Sequence, residues 1–393
     1  MGNNYMAFAR HPAARWLLGA LVAGSFSFGM VSLGLFLTVA AAAGSVGLAG
    51  VAVGAFSLGS AGLAPLRGRL IDRRGARPWL PLLAGGYAAS LLLVDVLAER
   101  AAPVWLLVAF SAAAGASAPP LIATVRGLWV RTVDAPQLRR AYALTALVVD
   151  IGQVAGPAAT GLLVAVSRSS ALAICALAAF GAASLVAGHP RDNRPNADTP
   201  HSRPPFASRP LRVLLSVSVA LGAALGLVEV AVPAAATAWR VTAYSGLLLA
   251  AFSVGSVAGG LWFGRREWRR PPGTRYLLAA LLLGIGLGPM ILAEKAATLA
   301  PLLVVAGFAF GPATISLFEA LDVFAPDGGT EALALVTTAQ AIGSAFGASV
   351  AGWASSTIGL QAPFGLASGE FILTAAIAFA WHTRRGDELQ GRP

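Results

Sequence analysis

Apolar runs of about 20 residues recur along this chain, each long enough to cross a hydrocarbon core of ~30 Å as a helix. Short polar or arginine-rich stretches separate them. Twelve such runs fall at about 16–40, 46–66, 78–98, 103–124, 141–165, 170–188, 211–237, 243–263, 276–293, 300–320, 331–354 and 363–382. The stretch 189–210 is polar, proline-rich and aperiodic, which marks it as a linker. The pattern therefore predicts an all-α membrane protein of twelve transmembrane helices. Its expected organisation is an N-terminal six-helix bundle (1–188), a cytoplasmic linker (189–210) and a C-terminal six-helix bundle (211–393).

The two halves resemble each other. Residues 55–60 read Ala-Phe-Ser-Leu-Gly-Ser, and residues 251–256 read Ala-Phe-Ser-Val-Gly-Ser. Each copy runs on into an arginine-rich stretch: Arg67, Arg69, Arg73, Arg74 and Arg77 after the first, Arg265, Arg266, Arg269 and Arg270 after the second. A second match follows in the correct order. Gly152, Gly156 and Gly161 in span five are repeated as Gly343, Gly347 and Gly352 in span eleven, with the same spacing. Two pseudo-symmetric apolar halves are the signature of a transporter that rocks two bundles about a central site.

Composition agrees. Charged residues make up 11% of the chain and hydrophobic ones 57%, whereas a soluble domain carries about 25% charged residues. The apolar run from Trp16 is too long for a signal-peptide core and reads as a retained first span. A net charge of +11 could suggest nucleic acid, but the bases sit in short loops and form no basic domain, so no nucleic-acid partner is expected. Their positions set the topology instead. Of the 28 basic residues only Arg100, Arg168, Arg240 and Lys295 fall in outer loops, which places both termini in the cytoplasm. One inner loop, 321–330, departs from this: it has Asp322 and Asp327 and no base. Trp16, Trp79, Trp105, Trp239, Trp262 and Trp381 stand at span ends, as interfacial anchors do. The lone Cys175 excludes an internal disulfide. Without a phosphate-cradling Gly-Lys-Ser/Thr loop or a Cys/His cluster, the chain is not expected to be an enzyme, use ATP directly, or bind a cofactor or metal.

The inner stretch after span two reads Gly68-Arg69-Leu70-Ile71-Asp72-Arg73-Arg74-Gly75-Ala76-Arg77. It resembles the signature loop of the major facilitator superfamily. Span five, with Gly152-Gln153-Val154-Ala155-Gly156-Pro157 and Gly161, resembles the Gly-x-x-x-Gly-Pro motif of its twelve-span drug or metabolite:proton antiporters. The resemblance implies a conformational latch at Gly68, Asp72, Arg73, Gly75 and Arg77, with Asp72 facing helix N-terminal amides and Gly75 in a left-handed turn. It implies a tightly packed bend at Gly152, Gly156, Pro157 and Gly161. The second half aligns Gly264 with Gly68 and Arg269 with Arg73, but has Trp268 for Asp72 and Ala348 for Pro157. Many proton-coupled members carry a buried arginine in span four, where this chain has Ser111.

Carboxylates inside spans are costly and therefore functional candidates. Glu229, Asp150 and Glu370 are the proton-coupling candidates; Asp95, near Glu99 and Arg100, reads as interfacial. No basic residue stands at mid-depth to pair with them. Ser25, Ser27, Phe28, Ser111, Gln153 and Gln340 are the substrate-cavity candidates, on the understanding that hydroxyls also join helices. An apolar cavity with a few acids suits amphiphilic or cationic solutes. The expected function is export of a small organic molecule by alternating access, in exchange for protons, by a monomer in the cytoplasmic (inner) membrane. A facilitator or importer of a small nutrient is the alternative, and a membrane sensor that transports nothing is a remote one.

Overall fold

The computed structural model describes residues 12–133, 135–167, 170–188, 209–324, 329–372 and 374. Helices account for nearly all of them: α1 Pro12–Ala43, α2 Val46–Arg74, α3 Ala76–Glu99, α4 Val104–Ser117, α5 Leu121–Thr132, α6 Ala135–Val166, α7 Ser170–Ala187, α8 Arg209–Ala238, α9 Ser245–Gly264, α10 Pro272–Leu287, α11 Ala296–Phe324 and α12 Gly329–Thr357. A last helix, α13, covers 362–372. Twelve spans result, because α4 and α5 share the fourth. Ten helical stretches among the described residues are long and apolar enough to cross a membrane. Most of the linker, 189–208, lies outside the described residues, as do Trp381 and the tip of the acidic inner loop, 325–328.

Two compact units emerge: Met1–His201 with Ala243–Ala250, and Ser202–Thr242 with Ala251–Pro393. Within each, glycines set the helix crossings. In lipid no hydrophobic force drives helices together, and residues without side chains let backbones touch and gain packing. In the first unit α2 crosses α4 with Gly59 on Ala112 and Gly115 on the Phe56 carbonyl. In the second, α9 crosses α11 with Gly255 on Val304 and Gly307 on the Phe252 carbonyl. A second crossing is also repeated. Gly152 and Gly156 of α6 lie on Ser25 and Gly29 of α1, and Gly343 and Gly347 of α12 lie on Val219 and Ala223 of α8. The internal repeat in the sequence is thus a repeat of contacts.

Two expectations need correction. The fourth apolar run is not one helix over 103–124. It breaks at Pro119–Pro120 and resumes as α5 to Thr132, so Arg126 lies in a helix and not in a loop. Prolines lack the N–H a continuing helix requires. The arginine-rich stretch 67–77 is likewise mostly helix. α2 runs on to Arg74, with Arg73 and Arg74 in its last turn, where cations favour the negative end of the helix dipole. Hydropathy falls there, but arginine is a good helix former.

At one end of the first unit these elements enclose a core. Trp129 of α5 is fully buried with Leu17, Leu80, Val125 and Val186, and its indole N–H donates to Thr145 Oγ1 at 3.0 Å.

Candidate functional site

In the 68–77 segment, Gly75 forms the whole turn between α2 and α3. Its φ is 83°, a backbone conformation that glycine adopts freely, and its N–H donates to Ile71 O at 2.8 Å. Gly68 has open space around it, and Arg73 and Arg77 are exposed. Asp72 stands in the last turn of α2, one turn before the break, and not at the start of α3; its side chain lies outside the described ones. The N-cap position of α3 is Gly75, which offers no side-chain cap.

The motif in α6 divides between two neighbours. Gly152 and Gly156 meet α1, and Thr160 adds a hydroxyl that donates to Gly156 O at 3.0 Å and Met30 O at 3.4 Å. Gly161 and the Pro157 carbonyl instead receive Ala243 and Gly246, from the segment 243–250 that clusters with the first unit. α6 continues as helix through Pro157.

The cavity candidates separate by burial. Ser27 is buried, and its hydroxyl donates to Cys175 O at 2.8 Å beside the Cys175 thiol and Tyr87 hydroxyl, joining α1, α3 and α7. Ser111 is fully buried, with its hydroxyl on Leu107 O at 2.8 Å. Ser25 is buried against Gly152. These three belong to helix contacts. Phe28, at 52% exposed, and Gln153, one residue along from Gly152, face outward from the same helix pair. Gln340 is half-buried, with its backbone carbonyl against Gly222 of α8.

The acids also differ. Asp150 is exposed on α6, one turn before Gln153. Glu229 is half-buried on α8, one turn beyond Gly226, which itself lies on Ser344 of α12. Gly222, Gly226 and Glu229 recur at helical spacing, so Glu229 continues the α12-facing stripe. It forms no ion pair or hydrogen bond among the described residues. Glu370 is half-buried on α13.

Two charged residues have roles that hydropathy did not expose. Asp95, one turn before the end of α3, is buried within the protein; it accepts a hydrogen bond from the Thr38 hydroxyl and keeps one carboxylate oxygen without a partner. Arg67 is only 6% exposed. Its Nη1 donates to Gly115 O at 2.6 Å and Ala116 O at 3.2 Å, and its Nη2 to Ser60 O. The second unit closes its matching end with aromatic rings. Trp268, in the place of Asp72, stacks on Phe263 at 4.6 Å between centroids and donates its indole N–H to Phe263 O at 2.9 Å. Arg275 pairs with Glu319 at 2.7 Å and lies over the Phe263 ring.

Membrane-length helices in two units, with one set of glycine crossings used twice, define a multi-pass helical membrane protein built on an internal repeat. The sequence model of the Major Facilitator Superfamily matches residues 16–329, and the chain belongs to that family: it is a transporter and not an enzyme. No curated protein matches it in sequence. Among solved structures, the human organic anion transporter MFSD10 (TETRAN) is similar with a TM-score of 0.65 and 18% identity, over 94% of this chain and 100% of that one. The nucleoside transporter NupG is similar with a TM-score of 0.74 and 12% identity, over 94% of this chain and 98% of that one.

Proposed function

We propose that this transporter exports a small organic molecule by alternating access in exchange for protons, from the inner membrane with both termini in the cytoplasm. The observation that carries the reading is Glu229, a carboxyl within an apolar helix that has no partner among the described residues. A group placed so, at a cost to the fold, is suited to taking up and releasing a proton. Asp150 on α6 is the corresponding candidate of the first unit, and Glu370 the weaker third. The Gly-Pro motif in α6 supports export. Similarity of fold to carriers of an organic anion and of nucleosides supports a small organic solute. The outward Phe28 and Gln153, with Gln340, are the groups assigned to the substrate path. Asp72, with Arg73, Arg77 and the Gly75 turn, is assigned to a latch that acts in one conformational state. Ser111, buried and bonded within its own helix, favours the facilitator as the second reading, since the cation often found in span four is replaced there.

Everted membrane vesicles test this, with a lipophilic cationic dye as first probe and a mixed metabolite library after it. Uphill uptake should collapse with the proton gradient. Glu229→Gln should abolish it and leave downhill exchange measurable, because a permanently neutral side chain mimics the protonated form and removes the need for release. Full uphill activity in Glu229→Gln, Asp150→Asn and the double variant would leave the facilitator in front.

A further inference from the structure

The break in span four leaves backbone carbonyls that must be satisfied somewhere. In a continuous helix the N–H of residue 119 would donate to the carbonyl of 115, and that of 120 to 116. Both positions are proline and have no N–H to give. Away from water, an unpaired carbonyl is costly. The two carbonyls left without their helical donors, Gly115 and Ala116, are the two that Arg67 Nη1 reaches across from α2. The neighbouring groups are also paired. Ser117 Oγ donates to Ala113 O at 2.6 Å and Ala114 O at 3.3 Å. Ala118 N also turns to Gly115 O, so Ala116 O is the carbonyl that depends on Arg67 alone among the described residues, and Leu121 N takes Pro119 O to begin α5.

We infer that Arg67 supplies the hydrogen-bond donors that Pro119 and Pro120 withhold, so that the break in span four is built jointly by two prolines and an arginine from the adjacent helix. Three further observations agree. Arg67 is buried, so it does not serve as a headgroup anchor. It forms no ion pair among the described residues, and its charge faces the C-terminal end of α4, where the helix dipole is negative. A guanidinium also fits where an ammonium does not, because its fork holds carbonyls of α4 with one nitrogen and Ser60 O of its own helix with the other. The second unit provides a natural control. There the positions of Pro119, Pro120 and Arg67 are Gly311, Pro312 and Phe263, and with only one of the two prolines α11 runs unbroken from Ala296 to Phe324. The cation is present where the double proline is present. Arg67 is therefore a positioning residue for span four, whatever the substrate and whether or not protons are coupled.

A mutant cycle on the full-length chain, purified in detergent, tests this. Pro119→Ala with Pro120→Ala restores both N–H donors. Arg67→Met should lower the melting temperature by at least about 3 °C in the native background, and by less than half as much in the double-alanine background. Arg67→Lys should fall between, since one ammonium cannot serve both helices. If Arg67→Met yields no folded protein, the triple variant should recover a folded, monodisperse peak on size exclusion. If the double-alanine chain does not fold, Pro120→Ala alone, which restores the donor to Ala116, repeats the comparison. An equal cost of Arg67→Met in both backgrounds, or a triple variant as poorly folded as Arg67→Met, would overturn the inference.

Discussion

The α2/α4 crossing of the first unit and the α9/α11 crossing of the second share their contacts and differ in how their ends are finished. Phe56 and Ser60 lie against Gly115 as Phe252 and Ser256 lie against Gly307. Beyond that point they diverge. α2 continues past Gly68 to Arg74, whereas α9 ends at Gly264, the matching glycine. The first unit has a buried guanidinium on carbonyls; the second has Phe263, Trp268 and Trp262 in contact, with Arg266 over the Trp262 ring. Backbone contact at a glycine admits no alternative side chain, so both copies keep it. Polar groups and ring faces can be satisfied in several ways, so the ends are free to differ. The first unit's end, with Asp72 and the broken span, is the one to which the proposed latch is assigned.

The largest effect should come where the two crossings agree. A Cβ at Gly115 or Gly307 would run into the backbone of the partner helix, at Phe56 O and Phe252 O. Gly115→Val and Gly307→Val should each remove nearly all folded protein from a size-exclusion profile, since neither backbone can retreat. If one of them left a full monodisperse peak, the two crossings would not be equivalent.

Where the copies differ, the outcome should differ too. Asp72→Asn should reduce transport by about tenfold, on the scale of a coupling between conformational states, and leave the melting temperature within error. Changes at Trp268 should act on stability and leave transport per folded molecule unchanged. Equal loss of transport at both positions would mean that Asp72 merely anchors its end.

Much of this is legible in the sequence. Apolar length alone located the spans, and of the recurring glycine triplets the pairs Gly152, Gly156 and Gly343, Gly347 mark a repeated contact, while Gly161 serves a different neighbour. What hydropathy could not separate was loop from charged helix. Residues 67–74 lower the average as a loop would, yet arginine continues a helix well. Nor could it see the break at Pro119–Pro120, because prolines barely interrupt an apolar run. The clue to Arg67 lay in the chemistry of that break: two absent N–H groups in lipid require donors from elsewhere. The contact at Asp95 was hidden for a related reason. Its neighbours Glu99 and Arg100 suggest an interface, but Thr38 of α1 brings a hydroxyl to it. Ser27 and Ser111 look available in sequence, and each spends its hydroxyl on a carbonyl.

A smaller effect should come from the ion pair that ties α10 to α11. Arg275 is mostly shielded and Glu319 is 43% exposed. Solvent on one partner limits the gain, so Glu319→Gln should cost about 1 kcal/mol or less and fade in high salt. Arg275→Met should cost more than Glu319→Gln, because it also removes the cation over Phe263. The first unit, which has no ion pair at its matching end among the described residues, should be insensitive to salt in this respect.

The smallest effect should be Trp268→Phe. The ring stacked on Phe263 is retained in kind, and one hydrogen bond, from the indole N–H to Phe263 O, is lost. That bond is only partly shielded from water, so the cost should be about 0.5 kcal/mol, the low end for a single neutral pair. Trp268→Ala removes the stack as well and should cost several times more. Melting curves of the two variants, compared under one set of detergent conditions, give the ratio. If Phe were as damaging as Ala, the hydrogen bond and not the aromatic stack would be what closes the second unit's end. The contrast with the carbonyl-bound Arg67 would then narrow to a choice between two donors.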